Sequence, residues 1–366
     1  MDCRVKPGND EEECVTTMVS SKTIRAAVLG ASGYTGADMI RLAALHPAIR
    51  LTALIAKAHA GQSLAQVFPH LSSLDVPPLV SSDQVDWNAV DLVFCALPHG
   101  TAHSEIGKLP KRIKIIDMSA DFRLRDPATY AEWYANEHSA PALIKEAVYG
   151  LTEHYRDEIR GARIVACPGC YPTAVLLALL PLAEAKLIAL EDIIIDAKSG
   201  VSGAGRTLKQ NILFSEAGEG LSPYALGNHR HVPEIEQELG LAAGAAVTIN
   251  FTPHLAPMAR GELCTSYVRL AGKASASNLR KALTDAYAGS PFVRIVEEGV
   301  IPATQHVRGS NFCHIGVFAD RIQGRAIVIS AIDNLVKGSA GQALQNFNLM
   351  YGFDETLGLE QLPLFP

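Results

Sequence analysis

The segment "IRAAVLGASGYTGADMIRLAALHP" (residues 24–47) is the clearest guide to the fold class of this chain. Its first part is a short apolar run that ends at a glycine, which is typical of a buried strand. Its last part carries apolar residues at helical spacing and stops at Pro47. Between them lie Gly30, Gly33 and Gly36, so the segment predicts a strand, a glycine-rich turn and a helix.

The alternation of strands and helices continues downstream. Short apolar runs that predict strands occur at residues 49–56, 90–98 and 113–121, with helical or irregular segments between them. Strands that alternate with helices are typical of a parallel sheet covered on both faces. We therefore predict an α/β fold, with a Rossmann-type doubly wound parallel sheet as a dinucleotide-binding domain over residues 23–165.

The pattern changes beyond residue 165, where the strand-like runs become longer. The last of them has turn residues at Gln323 and Gly324, which indicates a hairpin. We expect an α+β catalytic domain over residues 166–330, built on a mainly antiparallel sheet, followed by a helical segment over residues 331–366.

The overall composition limits the classes of partner. The 366 residues are 48% hydrophobic and 19% charged, with a net charge of −6 and scattered basic residues, which argues against nucleic acid and anionic membranes. Seven irregularly spaced cysteines argue against a secreted disulfide framework. The longest apolar run is interrupted by Pro181 and is too short to span a bilayer. Residues 1–22 lack an apolar run, so we expect a disordered tail, no secretory signal and a cytoplasmic protein.

The glycine turn is a candidate phosphate-binding site. Glycines let a pyrophosphate approach the backbone, and the helix that follows supplies free N–H groups. A purely structural tight turn is the alternative, because the spacing is G-x-x-G-x-x-G. At the end of the second predicted strand stands Lys57, where an NAD enzyme carries an acidic residue. A cation there favours NADP, although a solvated surface lysine would look the same.

The stretch "CPGCYPTA" (residues 167–174) allows three interpretations: a redox dithiol, half of a zinc site, or one catalytic thiol. Pro172 suits the first turn of the helix that follows. This places Cys170 just before a helix N-terminus, where the dipole and free N–H groups favour the thiolate. Cys170 is therefore the candidate nucleophile, and two buried structural cysteines are the alternative.

A pair of histidines follows in "GNHRHVPEIEQEL", where Pro233 opens a helix. In an extended chain, His229 and His231 would point the same way, into one cleft. A histidine beside a thiolate can act as acid and base. Two alternatives are histidines paired with the nearby glutamates, and a zinc site shared with the Cys-x-x-Cys pair.

Several residues are candidates for binding an anionic substrate or facing the nicotinamide. Ser199, Ser202, Gly203 and Arg206 lie in a glycine-rich segment after a predicted strand, which as an alternative is only a flexible loop. Two isolated arginines, Arg123 and Arg260, are weaker candidates because a lone arginine is usually solvated.

Taken together, the motifs resemble the N-acetyl-gamma-glutamyl-phosphate reductases, in the longer form of that family, from Ile24 to the C-terminus. Aspartate-semialdehyde dehydrogenases are similar in architecture but lack the HRHVPEI stretch. The motifs that carry the resemblance are "GASGYTGADMIRL", "SADFRLRD", "AVYGLTE", "CPGCYPTA", "KSGVSGAGR", "HRHVPEIEQ", "PHLAPMARGELCTSY" and "DNLVKGSAGQALQNFN".

The resemblance implies an NADPH-dependent oxidoreductase of arginine biosynthesis that acts as a homodimer or homotetramer. The Cys170 thiolate would attack an acyl phosphate, and reduction of the thioester would release N-acetylglutamate semialdehyde. His229 would be the acid/base, supported by His231 and Glu234. The substrate contacts implied are Arg123, Ser199 and Arg260. The cofactor contacts implied are Gly30, Ser32, Gly33, Tyr34, Thr35, Gly36, Pro98, Ser202, Gly203 and Asn334, the last of which returns the C-terminal helix to the dinucleotide-binding domain.

Two other functions remain open from the sequence. One is an acyl-phosphate reductase acting on an aspartyl substrate. The other is a non-catalytic NADP-binding regulator that senses redox state through Cys167 and Cys170. The family commonly has a residue other than cysteine at the position of Cys167, so oxidising conditions would allow a disulfide between the two thiols in this chain.

Overall fold

Two seven-stranded sheets form the framework of the protein, which a computed structural model describes from residue 23 to residue 366. The predicted tail, residues 1–22, lies outside the described residues. The strands of the first sheet are β1 (Ile24–Leu29), β2 (Ile49–Ile55), β3 (Leu79–Val80), β4 (Leu92–Cys95), β5 (Lys114–Asp117), β6 (Ala147–Tyr149) and β7 (Ile164–Ala166).

The first sheet is parallel throughout, with strand order β3-β2-β1-β4-β5-β7-β6. The central strands β1 and β4 are buried almost completely, which explains their unbroken apolar sequences. The strand order reverses between β1 and β4, and a crevice opens at such a switch point beyond the carboxyl ends of the strands. The predicted doubly wound parallel sheet is confirmed.

Helices pack on both faces of this sheet and connect it to the second. Strand β6 and two short helices lie in residues 122–151, where the sequence has no clear helical or strand periodicity. The helices are α1 (Tyr34–Ala43), α2 (Leu64–Val67), α3 (Ala102–Ile106), α4 (Pro127–Tyr134), α5 (Pro141–Ile144), α6 (Arg156–Gly161), α7 (Cys170–Glu184), α8 (Phe214–Ala217), α9 (Val232–Ala243), α10 (Ala276–Ala286) and α11 (Gly341–Tyr351).

The second sheet is mixed and mainly antiparallel, as predicted. Its strands are β8 (Ile193–Gly200), β9 (Ser222–Pro223), β10 (Ile249–Ala256), β11 (Glu262–Arg269), β12 (Val293–Ile295), β13 (Cys313–Ala319) and β14 (Arg325–Ile332). Only the pairs β8–β10 and β12–β13 are parallel. The predicted hairpin is formed by β13 and β14. Helices α7, α9 and α10 pack against one face of the sheet and share its core.

The C-terminal segment connects the two sheets. It begins with a π-helical turn, Val336–Ala340, and continues as α11, which packs against α1 and α6. In the π-helical turn, Lys337 is fully buried, and its Nζ lies 2.6 Å from Oε1 of Glu153. Gln345 bonds both partners, at 2.8 Å to Lys337 and 3.0 Å to Glu153. A buried charge pair held in this way fixes the π-helical turn against the segment that follows β6.

Within residues 23–366, the helices are all too short or too polar to cross a membrane.

The buried pair predicts a large stability effect. Replacing Lys337→Met leaves the Glu153 carboxylate buried without its cation, so we expect the free energy of unfolding to fall by about 3–5 kcal/mol. Urea denaturation measures this change. The control is Lys281→Met, which removes one partner of the exposed Lys281–Asp285 pair and should change stability far less. Equal effects of the two substitutions would contradict this account.

Candidate active site

A cleft of about 1740 Å³ is lined by residues of both halves of the chain. The glycine turn after β1 contributes to it, and so do the start of α7 and the loop that precedes α9. The predicted site residues that line this cleft are Gly30, Ser32, Gly33, Tyr34, Thr35, Lys57, Pro98, Arg123, Cys170, Ser199, Ser202, Gly203, His229, His231 and Asn334. Three others, Gly36, Glu234 and Arg260, are not among its lining residues.

The three glycines of the turn differ in whether the surrounding structure leaves room for a side chain. Gly30 has φ +82°, and a Cβ there would lie 2.4 Å from the carbonyl oxygen of Ala96. A Cβ on Gly36 would lie 2.3 Å from the oxygen of Gly30. Gly33, by contrast, has ordinary φ and an ordinary 3.6 Å contact. Packing therefore does not require glycine at the N-cap of α1, whereas a phosphate approaching the backbone would.

Cys170 is the first residue of α7, one position later in the helix than the sequence suggested. Pro172 is the third residue, which is tolerated because the first N–H groups of a helix have no intrahelical partner. Cys170 is partly exposed, whereas Cys167 is fully buried and lies 3.5 Å from Nδ2 of Asn346. Burial raises the pKa of the Cys167 thiol to about 12. The two cysteines are therefore not equivalent, and both are free thiols.

The electrostatic balance at Cys170 differs from the one expected for a helix N-terminus alone. Burial raises the pKa of its thiol well above the usual value, and the neighbouring Glu262 raises it further. The backbone N–H of Tyr171 acts in the opposite direction. Sequence reasoning missed Glu262, although its place in β11 is a signal, since every second residue of that strand faces the core.

His229 and His231 come together through a turn rather than an extended strand. The backbone N–H of His231 donates to Nδ1 of His229 at 3.1 Å, and the two ring centroids are 4.8 Å apart. Because Nδ1 accepts this bond, the neutral His229 ring carries its proton on Nε2. Tyr171, Tyr224 and Phe251 pack edge-on or tilted against the ring. Burial, with a smaller effect of the adjacent arginine, lowers the pKa of His229 to about 4.

His231 packs against the start of α7. A Cβ on Gly169 would lie 2.4 Å from Nε2 of His231, so the ring fits only because this N-cap residue is glycine. Burial lowers the pKa of His231 well below its usual value. The ring is therefore neutral and supports the N-terminus of the helix from the side.

Glu234 lies behind the cleft and joins several elements. Its Oε1 accepts hydrogen bonds from the hydroxyl of Tyr149 at 2.8 Å and from the N–H of Gly169 at 2.9 Å. Its Oε2 accepts a bond from Nη1 of Arg123 at 3.4 Å. The fully buried carboxylate thus holds both the N-cap of α7 and the guanidinium in place.

Arg123 is the buried arginine of the cleft. Besides Glu234, it donates to the carbonyl oxygens of Cys167 at 2.8 Å and Met118 at 3.1 Å. A guanidinium has five N–H donors, so these bonds leave part of its capacity for an anion in the cleft.

The loop after β8 is held by the C-terminal segment. Nδ2 of Asn334 donates to Oγ of Ser202 at 2.9 Å, and its Oδ1 accepts from the N–H of Gly261. Arg206, at the far end of the loop, donates to the oxygen of Ser32 at 3.1 Å and lies over the ring of Phe68. This arginine bridges from the second half of the chain to the glycine turn.

The structure places Arg260 away from the cleft. Its Nη1 lies 2.6 Å from Asp38 and 3.5 Å from Asp333. It lines a separate cavity of about 600 Å³ with Arg41 and Arg308. A substrate contact by Arg260 stays a prediction. Its ion pairs join α1 to the segment that follows β14.

The arrangement of histidines and cysteines bears on the zinc alternative. Over residues 23–366, no three or more His, Cys, Asp or Glu side chains group in a way that could hold a metal ion.

Comparisons of sequence identify the family. Residues 25–162 match the NAD binding domain of semialdehyde dehydrogenases, and residues 170–334 match their dimerisation domain. An N-acetyl-gamma-glutamyl-phosphate reductase of Rhodospirillum rubrum is 57% identical over 94% of this chain and 100% of its own length. A probable chloroplastic enzyme of the same name from Arabidopsis thaliana is 56% identical over 94% of this chain and 86% of its own.

Solved structures agree on the fold. Aspartate semialdehyde dehydrogenase II of Vibrio cholerae, in complex with ASA, has a TM-score of 0.69 at 16% identity and covers 91% of this chain and 99% of its own. The enzyme of Candida albicans with NADP has a TM-score of 0.66 at 15% identity, over 90% and 99% of the two chains. The predicted membership is thus confirmed: the chain is a semialdehyde dehydrogenase in fold and belongs to the N-acetyl-gamma-glutamyl-phosphate reductase family.

Proposed function

We propose that this chain reduces N-acetyl-gamma-glutamyl phosphate to N-acetylglutamate 5-semialdehyde and phosphate, with NADPH as the reductant. The observation that carries the proposal is the meeting of Cys170, at the start of α7, with the glycine turn of a dinucleotide fold in one cleft. The names of relatives that are 52–57% identical along nearly the whole chain support the choice of substrate.

The residues around the glycine turn suit a dinucleotide. Gly33 leaves the N-terminus of α1 open to a pyrophosphate, and the cations of Lys57 and Arg206 line the same cleft, where they suit a 2′-phosphate. Tyr34, Thr35 and Pro98 complete this part of the lining. When bound, NADPH supplies the hydride that reduces the acyl group.

Cys170 is the proposed nucleophile. Its sulfur forms a bond to the carbonyl carbon of the acyl phosphate, the bond from that carbon to the phosphate oxygen breaks, and phosphate leaves. The product of this step is a thioester on Cys170. Arg123, charged and already oriented by Glu234 and two carbonyl oxygens, is placed to bind the departing phosphate. Ser199 lines the cleft beside them.

His229 is the proposed hydrogen-bond donor to the reacting carbonyl group. The acid/base role that the resemblance implies stays a prediction, because Nδ1 already accepts a backbone bond. The neutral His229 ring holds a proton on Nε2, which can donate a hydrogen bond to the carbonyl oxygen as negative charge develops there. The aromatic rings around it exclude water and keep the ring neutral. His231 and Glu234 support this geometry from behind.

A homo-oligomer is proposed from the open face of the second sheet. Alternate residues of β8, β11 and β14 face away from the helices and are only partly buried, among them Ile194, Tyr267, Ile327 and Ile329. A sheet face that presents these apolar side chains suits contact with a second copy of the chain. The cytoplasmic location stays a prediction.

The substrate is tested by the reverse reaction. We expect reduction of NADP when N-acetylglutamate semialdehyde and phosphate are both present, and none when phosphate is omitted. Cys170→Ser should lower the rate by about a thousandfold or more, whereas Cys167→Ser should keep most of it. Normal turnover by Cys170→Ser would refute the thioester. Preference for aspartate semialdehyde in the same assay would replace the proposed substrate.

The protonation state of the His229 ring as a function of pH provides a second test. Because its pKa is lowered to about 4, the ring should stay neutral across the range from about pH 5 to 8, where free histidines titrate. NMR of the ring protons, with the signal assigned from His229→Gln, measures this directly. A midpoint near the ordinary value would contradict the burial of the ring.

The cofactor preference is a third test. Lys57→Ala should weaken binding of NADPH by about tenfold, because a charge-assisted bond to the 2′-phosphate is lost, and should leave NADH binding nearly unchanged. Titration of the dinucleotide fluorescence gives both constants. Gly33→Ala is the matched control, since an obstacle at the pyrophosphate should weaken NADPH and NADH alike. Equal losses of the two cofactors in Lys57→Ala would remove this lysine from the 2′-phosphate site.

A further inference from the structure

Glu262 is a buried carboxyl beside the proposed nucleophile that the mechanism above does not use. It is the first residue of β11, in register with Ser199 on β8 and Ile332 on β14. Its side chain is 0% exposed. A Cβ on Gly338 would lie 2.8 Å from Cβ of Cys170 and 3.2 Å from Cδ1 of Ile332, so Cys170 sits over the beginning of this strand.

The surroundings of Glu262 offer it no cation. Within the described residues it takes part in no ion pair, and neither of its oxygens has a well-directed hydrogen bond. The Cys170 thiol and the Ser199 hydroxyl are polar neighbours close enough to lower its pKa, an effect smaller than the rise caused by burial. The titratable groups of the surrounding elements that lie close enough to interact electrostatically with it are Cys170, Tyr171, Tyr224, Cys264, Cys313 and Asp333.

A carboxylate in such a place is unstable. Removing an ion from water without a counter-ion costs several kcal/mol or more, and the group takes up a proton instead. The nearby charge of Asp333 acts in the same direction. Burial raises the pKa of Glu262 to about 8, so the carboxyl is mostly neutral at neutral pH. A protonated carboxyl is a hydrogen-bond donor, unlike a carboxylate.

We propose that Glu262 is a protonated carboxylic acid at neutral pH and donates a hydrogen bond to the sulfur of Cys170, stabilising its thiolate until the proton of Glu262 is lost at alkaline pH. The proposal rests on the proposed role of Cys170 as the nucleophile. Through this hydrogen bond Glu262 would act on the reacting sulfur itself.

The protonation state of Glu262 determines whether it favours or disfavours the Cys170 thiolate. With Glu262 neutral, the O–H dipole favours the thiolate. With Glu262 ionised, the same group is a like charge beside the sulfur and returns Cys170 to the thiol form. The two groups therefore share one negative charge, and the thiolate population stops increasing once that charge is present on the pair.

The test measures alkylation of Cys170 by iodoacetamide as a function of pH, which needs neither substrate nor cofactor. Peptide mapping identifies the modified residue, and Cys170→Ser gives the background from other thiols. In the wild-type protein we expect the rate to rise with pH and level off near pH 8. In Glu262→Gln the rate should be about tenfold lower at neutral pH, since an amide is a weaker donor, and should continue to rise above pH 8.

Glu236→Gln is the matched control. Glu236 is a half-buried glutamate of α9 that accepts a bond from the N–H of Ile249, away from the cleft lining. Its profile should superimpose on that of the wild type. Superimposable profiles of the wild type and Glu262→Gln would overturn the proposal, whatever the outcome of the turnover assay. Turnover of aspartyl substrates alone would change the proposed function and leave this test intact.

A second measurement covers the case in which Glu262→Gln does not fold. The infrared spectrum of the wild-type protein at neutral pH should contain the carbonyl stretch of a protonated carboxylic acid that shifts when Cys170 is alkylated. Absence of any such shift would overturn the proposal.

Discussion

The active cleft depends on one buried carboxylate, that of Glu234. It accepts bonds from the N-cap of α7, from the hydroxyl of Tyr149 on β6 and from the guanidinium of Arg123. These donors come from three separate segments of the chain. A buried carboxylate is stable only when its charge is compensated in this way, so the same bonds that stabilise Glu234 also position the nucleophile and the anion-binding arginine relative to each other.

The pKa of the Cys170 thiol is set by effects that oppose one another. The helix N-terminus favours the thiolate, whereas burial and the negative form of Glu262 favour the thiol. The histidines nearby are neutral for the same reason, because their rings are shielded from water. The surroundings of Cys170 therefore carry little charge of their own apart from the guanidinium of Arg123, whereas the cations of Lys57 and Arg206 line the cleft around the glycine turn. Such a site can respond to charge that a substrate brings or develops.

The C-terminal segment ties the two halves of this cleft together. Lys337 is locked to Glu153, the next residue, Gly338, lies against Cys170, and Asn334 holds the loop that carries Ser202. Arg206 reaches back from that loop to the glycine turn. Since each of these contacts joins residues more than a hundred positions apart, the geometry of the cleft requires both halves of the chain.

The local elements were readable from sequence because their physical causes are local. The apolar run before Gly30, the Pro172 in the first turn of α7 and the turn at Gln323 and Gly324 each predict the element that the structure contains. The glycine pattern together with the Cys-x-x-Cys and His-x-His motifs indicated the candidate site, and the full set of eight motifs along the chain carried the resemblance to the family.

Long-range contacts supplied what the local pattern could not. Strand β6 is three residues long and gains its place from pairing with β7. Arg260 is drawn to Asp38 and Asp333 rather than to the cleft. Glu262 becomes significant only because β11 brings it beneath Cys170, far from it in sequence. A residue's propensity is a property of the residue and its neighbours along the chain, but its burial, partners and pKa arise from segments that meet only when the chain has folded.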